Sequence, residues 1–172
     1  MSGAFYLHGE YVFSLKYLFV TLFIACATLA VCHSAPALAN PVTIFDCHLP
    51  AGKWVTITQD GNRFTYRHGT AHGNDLKIEG DVHSRNVFYW SGRYTNIEKQ
   101  LRFTKGKYSY IVFSLGANPS LGADPDSGLE VLKGRKIISD TKGNNDICSP
   151  WADLKISMDN DLPEDDDSWS AM

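Results

Sequence analysis

The sequence predicts an all-β fold: a small antiparallel barrel of about eight strands with one disulfide, or alternatively a β-sandwich. Three observations lead there. Short runs rich in β-branched and aromatic residues recur between turn signals at a spacing of roughly ten residues. Within several runs apolar and polar residues alternate with period two, and one pair of cysteines, Cys47 and Cys148, brackets the patterned region.

The expected strands lie near 42–48, 53–58, 63–68, 75–79, 86–90, 100–104, 107–115, 128–132 and 135–139. Phe64 and Tyr66 alternate with Arg63, Thr65 and Arg67, and Leu101 and Phe103 alternate with Arg102 and Thr104. One face of each is therefore core and the other wet. The run KYSYIVFSL (107–115) is apolar on both faces towards its end, as a central strand would be. Asp60-Gly61, Lys133-Gly134 and Gly106 supply glycine where a two-residue hairpin needs positive φ, so each marks a tight antiparallel connection. No amphipathic helical pattern competes. The segment 116–128, GANPSLGADPDSG, has no apolar period and reads as a connector or binding loop.

Residues 1–39 read as an export signal. Lys16 precedes the apolar run 17–31 (YLFVTLFIACATLAV), and Ala37, Leu38 and Ala39 form a small-residue cleavage site before Asn40. The run is shorter than the roughly 20 residues of a spanning helix. Residues 1–15 hold Glu10 and no Lys or Arg, so a start downstream of Met1 is also consistent with this layout. Acylation at Cys26 or Cys32, which would place the chain on a membrane, is the competing reading. Cleavage after Ala39 leaves only Cys47 and Cys148, and an oxidising compartment then favours their pairing. The expected location is periplasmic or secreted.

Charge splits the mature part in two. From Asn40 to Cys148 there are 14 Lys plus Arg against 11 Asp plus Glu, whereas 149–172 carries 7 acidic residues and one Lys. A segment so acidic, with Pro163 inside it, reads as a solvated tail outside the 40–148 domain, disordered and removable at little cost to stability. The other reading folds it back onto the basic face of the domain, anchored by Trp151 and Trp169.

Signals for catalysis are weak. The sequence has no GxSxG elbow and no glycine loop for phosphates. His68 and His72, with His48 and His83, could be thought of as metal ligands, but they straddle a glycine-rich turn without a partnering carboxylate pattern. Asp46, Asp75, Glu79 and Asp81 read as strand-end and surface residues. The expectation is a protein that is not an enzyme and needs no cofactor or metal. Basic residues interleave with aromatics in RFTYRH and LRFTKGKYSYIVF, yet export and the acidic tail argue against nucleic acid as the ligand.

One constellation carries more. WSGRY (90–94) is followed by LRFTKG (101–106), which sets Ser91, Gly92 and Tyr94 before Thr104, Lys105 and Gly106, near the ends of two consecutive strands. This resembles the bacterial membrane-bound and periplasmic inhibitors of C-type lysozyme, small disulfide-linked barrels marked by SGxxY and then YxxxTKG. Tyr94 stands one position early for that pattern, and Gln100 or Leu101 stands where its second tyrosine would be. The resemblance implies a protein partner, a lysozyme-like hydrolase, whose catalytic carboxylates are hydrogen-bonded by Ser91 and Lys105. A periplasmic immunity protein against a delivered toxin, and a barrel holding a small ligand, are the alternatives; Trp54, Phe64, Tyr66 and Phe103 are expected to fill the interior and count against the last.

Mass spectrometry of the secreted fraction without reductant should find Asn40 at the amino terminus and a linked Cys47–Cys148 peptide. Free thiols at both positions, or a lipid on Cys26 or Cys32, would overturn this frame.

Overall fold

The computed structural model describes residues 40–93 and 95–167. Each expected run is a strand, in the expected order: β1 (Val42–Leu49), β2 (Lys53–Asp60), β3 (Arg63–Thr70), β4 (Gly73–Asp81), β5 (Val87–Arg93), β6 (Ile97–Lys105), β7 (Tyr108–Leu115), β8 (Asp126–Lys133) and β9 (Lys136–Ser139). The expected signal segment 1–39, with Cys26 and Cys32, lies outside the described residues, as do Tyr94 and Trp169. Among the described residues no helix is long and apolar enough to cross a membrane.

The strands form two antiparallel meanders, β1-β2-β3-β4 and β5-β6-β7-β8-β9. The sheets do not zip into a closed barrel, so the architecture is the sandwich alternative. Glycine opens three of the hairpins: Gly61, Gly106 and Gly134 have φ of 56°, 61° and 61°, each followed by a residue that is not in that region. Gly-x at such a two-residue turn is the type II′ pattern, whose twist matches that of the flanking strands.

Period-two patterning sets which side chains enter the core. Val55 and Ile57 of β2, Phe64 and Tyr66 of β3, and Ile78 of β4 face Val87 and Tyr89 of β5, Leu101 and Phe103 of β6, Val112 of β7 and Leu129 of β8. Tyr66 packs tilted against Phe103 and Tyr110, with centroids 5.4 and 5.5 Å apart. Phe64, Tyr66 and Phe103 thus fill the interior as expected. Trp54 does not, because the inward register of β2 belongs to Val55 and Ile57 and leaves Trp54 half-buried on the other face. The Cys47–Cys148 disulfide spans 101 residues and ties β1 to the segment after β9. A loop of that size is worth about 4–5 kcal/mol in the chain-entropy account.

The segment after Cys148 is not a free tail, contrary to the expectation from its charge. Ala152, Leu154, Ile156 and Leu162 are buried in the same core as the strands. The Ala152 and Leu154 amides donate to the Ser127 and Ser114 hydroxyls on the inner face of the second sheet, at 3.0 and 3.1 Å. Lys155 N donates to Ile44 O at 2.8 Å, where a register shift in β1 frees that carbonyl from β2. Further on, Tyr89 N donates to Pro163 O at 3.0 Å and Asp165 N to Tyr89 O at 2.9 Å, a short parallel pairing on the open edge of β5. The segment therefore occupies edge positions on β1 and β5, two of the edges that barrel closure would have paired. Trp151, proposed as an anchor, is 40% exposed and contributes one indole bond to Asp126 O at 3.2 Å.

Its far end is clasped by charge. Arg102 Nε and Nη2 donate to the two oxygens of Asp165 at 2.8 and 2.5 Å, while the guanidinium lies 4.4 Å from the Phe88 ring centroid. Asp165 is 2% exposed, so this is a buried fork-to-fork pair. Deleting 149–172 should accordingly lower the thermal midpoint by more than about 10 °C, since it removes several buried aliphatic side chains each worth roughly 1.5–3 kcal/mol. Arg102→Met should cost about 3–5 kcal/mol by stranding the Asp165 carboxylate. Chemical denaturation measures both, and an unchanged transition in the truncated chain would restore the free-tail reading.

Candidate interaction surface

The expected Ser91–Lys105 pair does not come together. Ser91 pairs with Lys99 and Gly92 with Glu98, next to the β5–β6 turn, whereas Thr104 pairs with Ser109 and Lys105 with Tyr108, next to the β6–β7 turn. Six residues along β6 separate the two levels, roughly 20 Å at strand rise. In an antiparallel hairpin the C-terminal ends of consecutive strands lie at opposite ends of the sheet, and this is the physical reason for the correction.

At the Ser91 end the local order is structural. A Cβ on Gly92 would lie 2.3 Å from the Trp90 indole, so the glycine is what lets that ring lie across the strand. Asn96 Nδ2 donates to Ala117 O and Asn118 Nδ2 to Thr95 O, which pins the β7–β8 loop, 116–125 because β8 begins earlier than expected at Asp126, against this turn. Within that loop, Pro119–Leu121 forms one 3₁₀ turn.

The other end of the sheet is basic. Lys105 and Lys107 flank Gly106, Lys133 and Arg135 flank Gly134, and Lys136 follows; all five cations are exposed. The two hairpin turns brace one another, because Gly134 N donates to Lys107 O at 2.8 Å. Lys105 Nζ is 3.5 Å from Lys77 O on β4. Asp167 approaches this end through Arg135, at 3.5 Å, an exposed pair of small energetic weight. Sequence reading singled out Thr104, Lys105 and Gly106 and missed Lys107, Lys133, Arg135 and Lys136. The signal was present as KGK and KGRK, two glycine hairpin tips each set among cations.

The histidines and carboxylates weighed as chemistry take ordinary places. No group of metal-binding side chains forms among the described residues. Asp46 accepts from the Thr56 hydroxyl at 2.9 Å, Asp81 from His83 N at 2.8 Å, and Glu79 pairs with Lys77 at 2.7 Å. Compared with family models, curated proteins and solved structures, the chain matches none.

A buried acidic pair on the outer face of the second sheet has the most perturbed carboxyl. Glu98 accepts from Gln100 Nε2 at 2.7 Å and from Lys142 Nζ at 3.0 Å, and Lys142 extends 5.7 Å from the Phe113 ring centroid. Glu130, on the same face, has its pKa pushed up to about 7 by burial, with Asp140 and Glu98 adding to the rise and Lys142 opposing it. An acid whose folded pKa is raised is favoured protonated in the native state, so its charging costs stability as pH rises from the ordinary carboxylate range to about 7. Glu130→Gln should therefore stabilise the fold at pH 8 by about 1–2 kcal/mol, allowing for screening, and the gain should fade towards the pH where an unfolded glutamate titrates. Urea melts across pH check this; a gain independent of pH would show that the carboxyl carries no such cost.

Proposed function

We propose that the chain is an exported, non-catalytic protein-binding domain whose basic hairpin end, led by Lys105, enters the acidic cleft of a wall-degrading hydrolase of the lysozyme type. The observation that carries this reading is the mutual bracing of the β6–β7 and β8–β9 turns beneath Lys105, Lys107, Lys133, Arg135 and Lys136. Cations on a stiff support lose little entropy on binding. A glycan hydrolase cleft presents carboxylates, which a lysine satisfies through charge-assisted hydrogen bonds. The resemblance to the lysozyme inhibitors then rests on its second half, TKG at 104–106. Ser91 belongs to the opposite end and makes no joint insertion with Lys105.

In a cell-wall lysis assay the purified protein should inhibit a C-type lysozyme at micromolar concentration. Lys105→Ala should weaken inhibition by about 2 kcal/mol or more, Lys136→Ala much less, and Ser91→Ala hardly at all. Circular dichroism must show each variant folded, because Lys105 adjoins the Gly106 turn. Absence of inhibition by the unaltered protein would remove the lysozyme reading. Equal losses at Lys105 and Lys136, with strong salt sensitivity, would reduce it to diffuse attraction.

A further inference from the structure

Between the two sheets, two residues along β7 and β8 from the Tyr108–Lys133 pair at the basic end, lies a cleft of about 340 Å³. That volume suits one small organic molecule. Leu49, Leu129, Val131 and Ile147 give it apolar walls, and Lys53, Tyr66, His68 and Tyr110 supply the polar groups. Strand register orders these groups by depth. Lys53 pairs with Leu49 and Thr70 at the end of the first sheet, whereas Tyr66 pairs with Ile57, four residues deeper, roughly 13 Å along the strand.

Two polar features of this cleft are not accounted for by the protein's own contacts. Tyr66 is fully buried, and its hydroxyl has no hydrogen-bond partner. A buried hydroxyl left unpaired is a cost that a ligand oxygen can relieve. At the outer end Lys53 is exposed and makes no ion pair among the described residues. His68 sits between them, 3.9 Å from Asp75, with its pKa lowered by burial first and by Lys53 second, so it stands neutral and leaves the ammonium as the cation of the mouth.

We infer that this cleft binds a small rod-shaped aromatic hydroxy acid, its carboxylate on Lys53 at the mouth and its far oxygen accepting from Tyr66 Oη at the floor, an atom closed to water in the structure that a shift of the cleft wall uncovers as the ligand enters. The apolar body lies between Tyr110 and the Leu129, Val131 and Ile147 walls. A carboxylate kept at the mouth stays solvated, which burial at the floor would forbid. An acid without a far oxygen would reach Lys53 yet leave Tyr66 unpaired. This site is separate from the Lys105 end, so it stands or falls independently of the lysozyme reading.

The test is isothermal titration of the full chain with 4-hydroxycinnamate, cinnamate and the methyl ester of 4-hydroxycinnamate. The hydroxylated acid should bind at least about five-fold more tightly than cinnamate, because the site has a buried donor that cinnamate leaves unpaired. Tyr66→Phe should erase that preference while leaving the thermal midpoint unchanged or higher, since it removes only an unpartnered hydroxyl. Lys53→Ala should weaken both acids to the level of the ester. No binding at about 1 mM, equal affinity for the two acids, or a preference that survives Tyr66→Phe would each overturn the assignment.

Discussion

Two sheets that do not close on each other leave edges, and the edge of β5, with a bulge on that of β1, is satisfied by the chain that follows the disulfide. The rest of the structure depends on that closure. Cys148, held to Cys47, delivers residues 152–156 along the inner face of the second sheet, where Leu154 fills the core and Lys155 reaches the free carbonyl at the β1 bulge. Pro163 and Asp165 then add one parallel bridge of two hydrogen bonds at Tyr89 of β5. Without them the sandwich would expose backbone groups on β5, and apolar side chains at one flank of its core.

The acidic character of this segment serves that attachment instead of opposing it. Asp165 is the one carboxylate of the cluster that is fully buried, and it is also the one with a bidentate arginine. Asp167 lies at the rim and reaches Arg102 and Arg135 at 4.0 and 3.5 Å. The energy therefore sits in one desolvated pair, with exposed neighbours contributing mainly long-range attraction between a negative segment and a positive sheet face.

Much of the fold was legible because it is written in period two and in glycine. All the expected strands exist, and Gly61, Gly106 and Gly134 stand where the hairpins turn. The closing segment was misread because net charge hid a weaker alternation: Ala152, Leu154 and Ile156 face inward while Asp153, Lys155 and Ser157 do not. Barrel and sandwich share one local pattern and differ only in what the edge strands meet, a nonlocal fact with no signature in spacing. The Ser91–Lys105 pairing failed for a geometric reason that strand order alone decides. Thr104 and Lys105 do end β6 at the exposed Gly106-Lys107 turn, but the cations grouped with Lys105 are Lys107 and those of the β8–β9 turn, which come from a different hairpin.

The same closure explains how one small domain can hold two dissimilar recognition features. Strand pairing and the Gly134–Lys107 bond stiffen the basic hairpin end, and the Arg102–Asp165 clasp holds β6, the strand that carries Lys105, from its outer face. Inside the core, Ile147, the chain neighbour of the disulfide's Cys148, forms part of the cleft wall. Cations that need a solvated, protruding position are on turns, and the unpaired Tyr66 hydroxyl that needs exclusion of water is at the centre of a strand. Placing one on exposed turns and the other on the inner face of the sheets lets each keep the dielectric environment on which its strength depends.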